Sequence, residues 1–266
     1  MKKFLVAGIA AAAFWGAPAL AADVAIKALP PAPTPVVALD WTGPYLDGDI
    51  GWQSNSYTWN TNDPASPNFN SIFSLSNSVG SFGGHLGYQQ QFGWLVVGEE
   101  VGTFASIKRS FASVTSGGLG AGAPCGLAFA GQMCQVNLDR AYTFGGKAGV
   151  VWSDWLLYAV GGYATGVIES QINLVGAALA PGLGDSTTPK IAQGWYAGAG
   201  FDYMLSKSRF FDAIVGIEYQ HVALGAVQEI SNVMPVGFPM LDQRTLSANV
   251  DAVWAKLTLK FNPFAR

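Results

Sequence analysis

The stretch AQGWYAGAGFDYML (residues 192–205) is followed, after a short polar turn, by DAIVGIEYQ (residues 212–220). In both stretches large apolar residues alternate with small or polar ones, which is the period of two that is typical of a β-strand. The apolar face carries aromatic residues towards the strand ends, as is typical of a strand that meets both interfaces of a membrane. The two stretches therefore predict a membrane-spanning β-hairpin.

The start of the chain has the three parts of a secretory signal peptide. Two lysines are followed by an apolar run over residues 4–15 and by the small-residue site at residues 19–21. An anchor helix is the alternative, but the apolar run is shorter than the about 20 residues of a membrane span. We therefore expect residues 1–21 to be cleaved off as a signal peptide.

Residues 22–40 form a proline-rich arm, with four prolines between residues 23 and 39. Proline cannot donate to a sheet and breaks a helix, so this segment is predicted to be an extended periplasmic spacer. A periplasmic tether or a peptide-recognition site is the alternative. The barrel domain is predicted to cover residues 41–266.

The composition excludes two broad classes of protein. No stretch after the signal peptide has 18 or more uninterrupted apolar residues, which excludes a helical membrane protein. Loss of the two lysines of the signal peptide lowers the basic count from 14 to 12, against 17 acidic residues, so binding to nucleic acid is not expected. A chain with 33 glycines, 13% aromatic residues and only 12% charged residues fits a transmembrane β-barrel instead.

The same alternation recurs along the chain and predicts an all-β fold, an eight-stranded antiparallel transmembrane β-barrel. The connections alternate between short turns and long segments, and such barrels keep short turns in the periplasm and long loops outside the cell. Both termini are then periplasmic. The candidate strands lie at about residues 41–53, 78–92, 94–107, 135–152, 156–170, 192–205, 212–220 and 246–261, and the four long extracellular loops at 54–77, 108–134, 171–190 and 228–245.

The alternation also predicts which charged residues face the lumen. An eight-stranded barrel is just wide enough for side chains to fill it, so we expect a closed interior of paired charges, with a narrow solute pathway as the alternative. Glu99 breaks the pattern and must face lipid, lose its charge or lie on a bulge; a bulge or an interfacial site is favoured. Residues 156–170 are apolar on both faces and give no register. The predicted lumen charges are Asp47, Asp49, Glu100, Asp139, Lys147, Asp202, Glu218, Lys256 and Lys260.

Several segments, taken in order, resemble a known family. They are WTGPY (residues 41–45) after the proline-rich arm, FGGHLGYQ (82–89), VGEEVG (97–102) and LYAVGGYATG (157–166). Together they resemble the small alphaproteobacterial outer-membrane β-barrel proteins of the porin-family, surface-antigen type, over almost the whole mature chain. The resemblance implies an eight-stranded surface antigen that contributes to envelope integrity. Family members usually end on a terminal aromatic residue, so either Phe261 or Phe264 is expected to act as the assembly signal.

Few residues point to chemistry. Cys125 and Cys134 lie nine apart in one predicted extracellular loop and are expected to form a disulfide in an oxidising compartment. Two thiols with no histidine nearby do not make a metal site. His221 raises the question of a lipid-modifying enzyme, but no hydroxyl residue follows it, and an interfacial structural role is favoured. We predict no catalytic residue, no cofactor and no metal.

The sequence therefore predicts a non-enzymatic outer-membrane barrel that contributes to envelope structure and displays surface loops. A narrow, low-conductance porin is the alternative, and a lipid-modifying barrel enzyme is a third reading. The expected partners are outer-membrane lipid, lipopolysaccharide and, during insertion, the barrel-assembly machinery. A ligand of the surface loops is left open, because their Gly, Ala, Ser and Asn residues carry no readable chemistry.

Overall fold

The computed structural model describes residues 40–62, 70, 72–115, 132–174, 185–186, 189–233 and 240–262. This part of the chain is all-β, and it has no helix long and apolar enough to cross a membrane. The predicted signal peptide, most of the proline-rich arm, Cys125 and Phe264 lie outside the described residues. The strands are β1 (Gly43–Thr61), β2 (Ile72–Phe92), β3 (Leu95–Ser106), β4 (Ala112–Thr115), β5 (Gln132–Trp152), β6 (Trp155–Leu174), β7 (Asp185–Ser186), β8 (Lys190–Lys207), β9 (Phe211–Val233) and β10 (Met240–Phe261).

Eight long strands close into a ring. The order runs β5, β3, β2, β1, β10, β9, β8, β6, and the pairing of β6 with β5 closes it, with every pair antiparallel. The short strands β4 and β7 add to β5 and β6 outside this ring. Closure pairs the backbone groups of each strand with two neighbours, as a lipid environment requires. The predicted eight-stranded antiparallel barrel is confirmed.

The wall of the barrel has an apolar outside and a polar inside. In β1, Ile50 and Trp52 are 63% and 60% exposed on the outer surface, whereas Asp49 and Gln53, which flank them, are 6% and 1% exposed. Side chains alternate across a strand, so one apolar stripe per strand suffices to coat the barrel for lipid. The inward and outward faces predicted for β1, β2, β8 and β10 are those that the structure shows.

Three tight turns join strands at one end of the barrel, between β2 and β3, β5 and β6, and β8 and β9. Gly93, in the first of them, has φ +63°, a backbone conformation in which a side chain is unfavourable. Both ends of the barrel domain lie here too, since Tyr45 pairs with Lys260. The observed arrangement agrees with short turns and both termini on the periplasmic side.

The strands are longer than the sequence pattern indicated. β1 continues to Thr61, β2 begins at Ile72, β9 continues to Val233 and β10 begins at Met240, so much of the predicted loops 54–77 and 228–245 is strand. A strand of 20 residues at about 3.3 Å rise and about 40° tilt spans roughly 50 Å, twice the apolar band of about 25 Å. The outer halves of these strands therefore extend beyond the membrane. There no lipid requires apolar residues, so the alternation that marks a strand is lost.

One predicted lumen charge, Asp139, lies elsewhere. The register of β5 against β6 shifts between Leu138 and Arg140, so inward and outward positions change parity at this point. The Asp139 side chain is 44% exposed and binds Arg140, with Nε 2.9 Å from Oδ2. The alternation over residues 135–152 predicts that Val136 and Leu138 share the outer face with Tyr142 and Phe144, but the structure buries both of them in the core. The bulge explains all three corrections, because one extra residue exchanges the two faces of a strand.

Two further strand positions are settled by the structure. β3 pairs with β2 and β5 without a register shift over Glu99, so Glu99 does not lie on a bulge and faces outward from a regular strand. The other favoured possibility, a site near the membrane interface, stays a prediction. In β6, whose register the sequence left open, Leu156, Tyr158 and Val160 face inward. Neither face of β6 carries a charged residue there, since its inner positions are occupied by these three side chains.

Candidate functional site: the barrel interior

Polar and aromatic side chains fill the described barrel at three levels. We define a periplasmic layer (Trp41, Gln89, Asp212, Lys260), a central cluster (Tyr45, Asp47, Asp49, His85, Glu100, Lys147, Tyr158, Tyr196, Asp202, Glu218, Gln220, Lys256) and an outer layer (Tyr57, Trp59, Glu229, Arg244). These side chains are buried although most carry charge or a hydroxyl. Buried charges are stable only when paired and hydrogen-bonded, so the contacts in each layer decide what the interior can do.

The periplasmic layer closes the barrel around Lys260. Its Nζ lies 2.9 Å from Asp212 Oδ2 and donates to the carbonyl oxygen of Asp40 at 2.8 Å. Trp41 is fully buried, and its carbonyl accepts a hydrogen bond from Gln89 Nε2 at 2.8 Å. The chain segment that enters β1 is therefore fixed across the periplasmic end by hydrogen bonds from lumen side chains to its main-chain carbonyl oxygens.

Lys256 is the hub of the central cluster. Its Nζ lies 2.7 Å from Glu218 Oε2 and 3.3 Å from Asp47 Oδ2, so one ammonium contacts two carboxylates from different strands. Glu218 also accepts from Tyr158 Oη at 2.7 Å and from Gln220 Nε2 at 2.6 Å. Three donors on a single carboxylate compensate much of the cost of taking it out of water.

Lys147 forms the second cationic contact of this cluster. Its Nζ is 3.1 Å from Asp202 Oδ2 and lies over the Tyr158 ring, 3.8 Å from the centroid. An ammonium over an aromatic face gains a cation–π attraction that grows when water is excluded. Tyr158 thus links Lys147 to Glu218, so the charges of the central cluster form one connected network.

His85 faces two aspartates of the neighbouring strand. Its Nδ1 lies 3.0 Å from Asp47 Oδ1 and 2.8 Å from Asp49 Oδ2, and its backbone N–H donates to Asp47 Oδ1 at 2.6 Å. Across the lumen, Tyr45 donates its hydroxyl to Glu100 Oε2 at 2.9 Å. This side of the central cluster, which we call its acidic side (Asp47, Asp49, His85 and Glu100), holds more carboxylates than cations.

The outer layer repeats the same design. Arg244 binds Glu229, with Nε 3.3 Å from Oε2, and its guanidinium carbon lies 4.8 Å from the centroid of the Trp59 ring. The backbone N–H of Leu138 donates to the hydroxyl of Tyr57 at 3.0 Å. The lumen is therefore filled at its outer level as well, by a buried ion pair enclosed by aromatic rings.

The structure places eight of the nine predicted lumen charges inside the barrel, and Asp139 on the bulge. Asp212, Glu229 and Arg244 were missed by the sequence reasoning. Asp212 has the same parity as Glu218 and was within reach of the pattern, whereas Glu229 and Arg244 lie in a segment that was predicted to be a loop. The inward-facing residues inside are Asp47, Asp49, Glu100, Lys147, Asp202, Glu218, Lys256 and Lys260.

On the outer surface, His221 belongs to a small polar group. Its Nδ1 lies 2.8 Å from Asp251 Oδ1, and the Tyr219 hydroxyl donates to the same oxygen at 2.6 Å. The ring of Trp195 packs 5.5 Å from the imidazole. These contacts place His221 in a polar group on the outer surface, and its interfacial structural role stays a prediction.

The predicted disulfide joins a described residue to one that is not described. Cys134 lies in β5 and is fully buried, opposite Val114 of β4. Cys125 lies outside the described residues. The pairing stays a prediction.

The chain is similar to known outer-membrane barrels. Residues 7–252 match the model of the family described as outer membrane protein beta-barrel domain. Similar solved structures are Neisserial surface protein A (11% identity, 83% of this chain and 98% of that one, TM-score 0.33), OprG from Pseudomonas aeruginosa (11%, 82% and 96%, TM-score 0.45) and the protease OmpT from Escherichia coli (8%, 83% and 97%, TM-score 0.43). A comparison with curated proteins finds no match.

Proposed function

Because this chain belongs to the outer membrane protein beta-barrel domain family and lies in the outer membrane, we propose that it is a non-enzymatic envelope protein with a closed lumen. In this proposal its wall anchors in lipid and lipopolysaccharide, and its outer strands and loops are displayed at the cell surface. It is of the surface-antigen type. The fold alone does not decide this, since barrels of this kind host different activities, so the proposal rests on the lumen.

The observation that carries the proposal is the burial of the central cluster. Glu218 and Lys256 are 0% and 4% exposed, although both side chains point into the lumen from the barrel wall. If the eight-stranded barrel enclosed a water-filled pore, the carboxylate of Glu218 and the ammonium of Lys256 would be hydrated. Their packing against Tyr158 and Asp47 supports a closed interior, in which the charges hold the wall together rather than line a solute path.

The length of the strands supports display at the surface. β9 has 23 residues and β10 has 22, about twice the number needed to cross the apolar band. Arg244 and Glu229 pair in this outer part. Strands that extend beyond the lipid and are joined by an ion pair are suited to presenting loops at the cell surface. A simple pore would need little structure outside the membrane.

A deletion strain tests the envelope role. We expect cells that lack the protein to be more sensitive to detergent and to large antibiotics, and expression of the intact protein to restore their resistance. The variant Lys256→Met with Glu218→Gln should restore less at equal surface level, because it weakens the closed interior, and the outward-facing Leu257→Ala should restore fully. Unchanged sensitivity of the deletion strain would contradict the proposal.

The enzymatic alternative has its own readout. Mass spectra of lipid A from cells with and without the protein are expected to be identical. A loss or gain of an acyl chain that depends on His221 would overturn the non-enzymatic assignment.

A further inference from the structure

We propose that the acidic side of the central cluster binds one divalent transition-metal cation of the Zn²⁺ class through Asp47, Asp49 and His85. The three residues lie on adjacent strands, with Asp47 paired directly with His85 and Asp49 two residues further along the same face of β1. All three are buried, and their ligand atoms lie within 4.8 Å of one another. The sequence predicted no metal here, because nothing in the chain places residue 85 beside residues 47 and 49 until the strands pair.

The distances suit a shared ion. His85 Nδ1 lies 3.0 Å from Asp47 Oδ1 and 2.8 Å from Asp49 Oδ2. Donor atoms at about 2.0–2.2 Å from a tetrahedrally coordinated zinc ion are separated by about 3.3–3.6 Å. The imidazole nitrogen and each carboxylate oxygen therefore need to separate by only about 0.3–0.8 Å to become neighbouring ligands of one cation.

Asp49 supplies an independent indication. The Nδ1 of an imidazole carries at most one hydrogen, and here it is hydrogen-bonded to Asp47 Oδ1. The side chain of Asp49 is only 1% exposed, and its Oδ2 contacts the same nitrogen at 2.8 Å. With the hydrogen of Nδ1 directed at Asp47, neither oxygen of Asp49 has a hydrogen-bond donor of its own among the described residues. A buried carboxylate without a donor is strongly unfavourable, and a bound cation would satisfy it.

The charge of the cluster points the same way. Lys147 is matched by Asp202, which leaves Lys256 as the one ammonium facing Asp47, Asp49, Glu100 and Glu218. Even with His85 protonated, the described side chains would carry two surplus negative charges in a space closed to water. Buried charges of one sign repel strongly, so a divalent cation would remove the largest electrostatic cost of this interior.

The surroundings of the three ligands resemble the outer shell of a metal site. Lys256 Nζ lies 3.3 Å from Asp47 Oδ2, so the oxygen that faces the ion is Oδ1, which also accepts the backbone N–H of His85 at 2.6 Å. Glu100 and Glu218 also lie near the imidazole, each with an oxygen within 4.8 Å of a ring nitrogen. A metal-bound histidine usually donates its other N–H to a carboxylate, which fixes the ring and raises its basicity.

The donor set selects the class of ion. One imidazole nitrogen with two carboxylate oxygens suits Zn²⁺ and similar divalent transition metals. Mg²⁺ and Ca²⁺ prefer sites made of oxygen alone. The expected ligand is thus a single cation of borderline hardness, such as Zn²⁺, that cross-links β1 and β2 inside the closed barrel.

The test supplies Zn²⁺ during refolding, because the site is closed in the folded barrel. After dialysis, elemental analysis of the wild-type protein should give about one Zn²⁺ per chain, and X-ray absorption should show nitrogen and oxygen neighbours at about 2.0–2.2 Å. Heat-modified migration in gels verifies folding of each sample. Less than half an equivalent of zinc in the folded wild-type protein, or sulfur neighbours at about 2.3 Å, would overturn the proposal.

Variants locate the ion. Asp49→Asn and His85→Gln should each lower the affinity for Zn²⁺ by more than the about 10–100-fold seen when only an outer-shell partner is lost. Asp212→Asn in the periplasmic layer and His221→Ala on the outer surface should keep the full equivalent. Full binding by folded Asp49→Asn would contradict the assignment, and the absorption data on the wild-type protein decide the question if a variant does not fold.

Discussion

Lys256 Nζ lies 2.7 Å from Glu218 Oε2 inside the barrel, although the two residues are diagonal rather than directly opposite neighbours on β10 and β9. Glu218 is opposite Trp254, and Lys256 is opposite Gly216. The space beside Gly216 is taken by the carboxylate of Asp202, whose Oδ1 would lie 2.1 Å from a Cβ at this position. Cross-strand pairing therefore brings this contact about.

A double-mutant cycle measures how strongly the two groups are coupled. Glu218→Gln or Lys256→Met alone leaves a buried charge without its partner, so each should lower the free energy of unfolding by about 3–5 kcal/mol. A hydrated pair would lose about 1 kcal/mol or less. Urea unfolding in lipid should show that the double variant costs much less than the sum of the two.

The control cycle combines Glu218→Gln with Lys260→Met, whose partner is Asp212 in the periplasmic layer. Groups without shared partners add, so this pair should be additive within about 0.5 kcal/mol. Additivity in both cycles would count against a packed interior.

Gly102 lies against the central cluster. A Cβ at this position would approach Cδ2 of His85 to 2.1 Å and Oγ1 of Thr143 to 2.8 Å. We expect Gly102→Ala to lower the free energy of unfolding by about 1–3 kcal/mol, because the imidazole must move. Gly48→Ala, whose Cβ would meet no atom within 4 Å, is the matched strand variant and should change stability by about 0.5 kcal/mol or less. Equal effects of the two would show that the interior is loosely packed.

Glu99 faces outward between Val97 and Val101. A carboxylate on the lipid face is unfavourable, though less so than the about 2–4 kcal/mol of a lysine at the bilayer centre. Glu99→Leu should therefore raise the urea midpoint of the barrel in lipid, whereas Val101→Leu should leave it nearly unchanged. A lower midpoint for Glu99→Leu would indicate a favourable contact of this carboxylate, for example with a lipid headgroup.

The cysteine pair is tested on intact cells. If Cys125 and Cys134 form a disulfide, a membrane-impermeant thiol reagent should label the protein only after reduction. The single variant Cys134→Ser is the control, since it leaves Cys125, in the predicted extracellular loop, as a free thiol that should be labelled without reduction. Labelling of the wild-type protein without reductant would reject the bridge.

The sequence predicted the structure well where the strands contact lipid. Inside the membrane, Ile50 and Trp52 must alternate with Asp49 and Gln53, and this pattern predicts the fold, the inward and outward faces of most strands and most of the lumen charges. It fails at Asp139, because a bulge changes parity without leaving a mark in the sequence. It also fails at Arg244, where the strand continues above the lipid.

The contacts within the lumen needed the structure. Which carboxylate meets Lys256 depends on the shear of the barrel, which no single strand reveals. The proximity of His85 to Asp49 depends on the pairing of β1 with β2. Local alternation therefore predicts the inventory of inward residues, but not their partners.

Single-channel recording of the refolded barrel in a planar bilayer tests the closed lumen most directly. The wild-type protein is expected to give no steady conductance steps. The variant Glu218→Ala with Lys256→Ala should give small, reproducible steps, because it removes the ion pair at the centre, and the outward-facing Leu257→Ala should remain silent. Steady, uniform steps from the wild-type protein would contradict the account and identify a narrow porin instead.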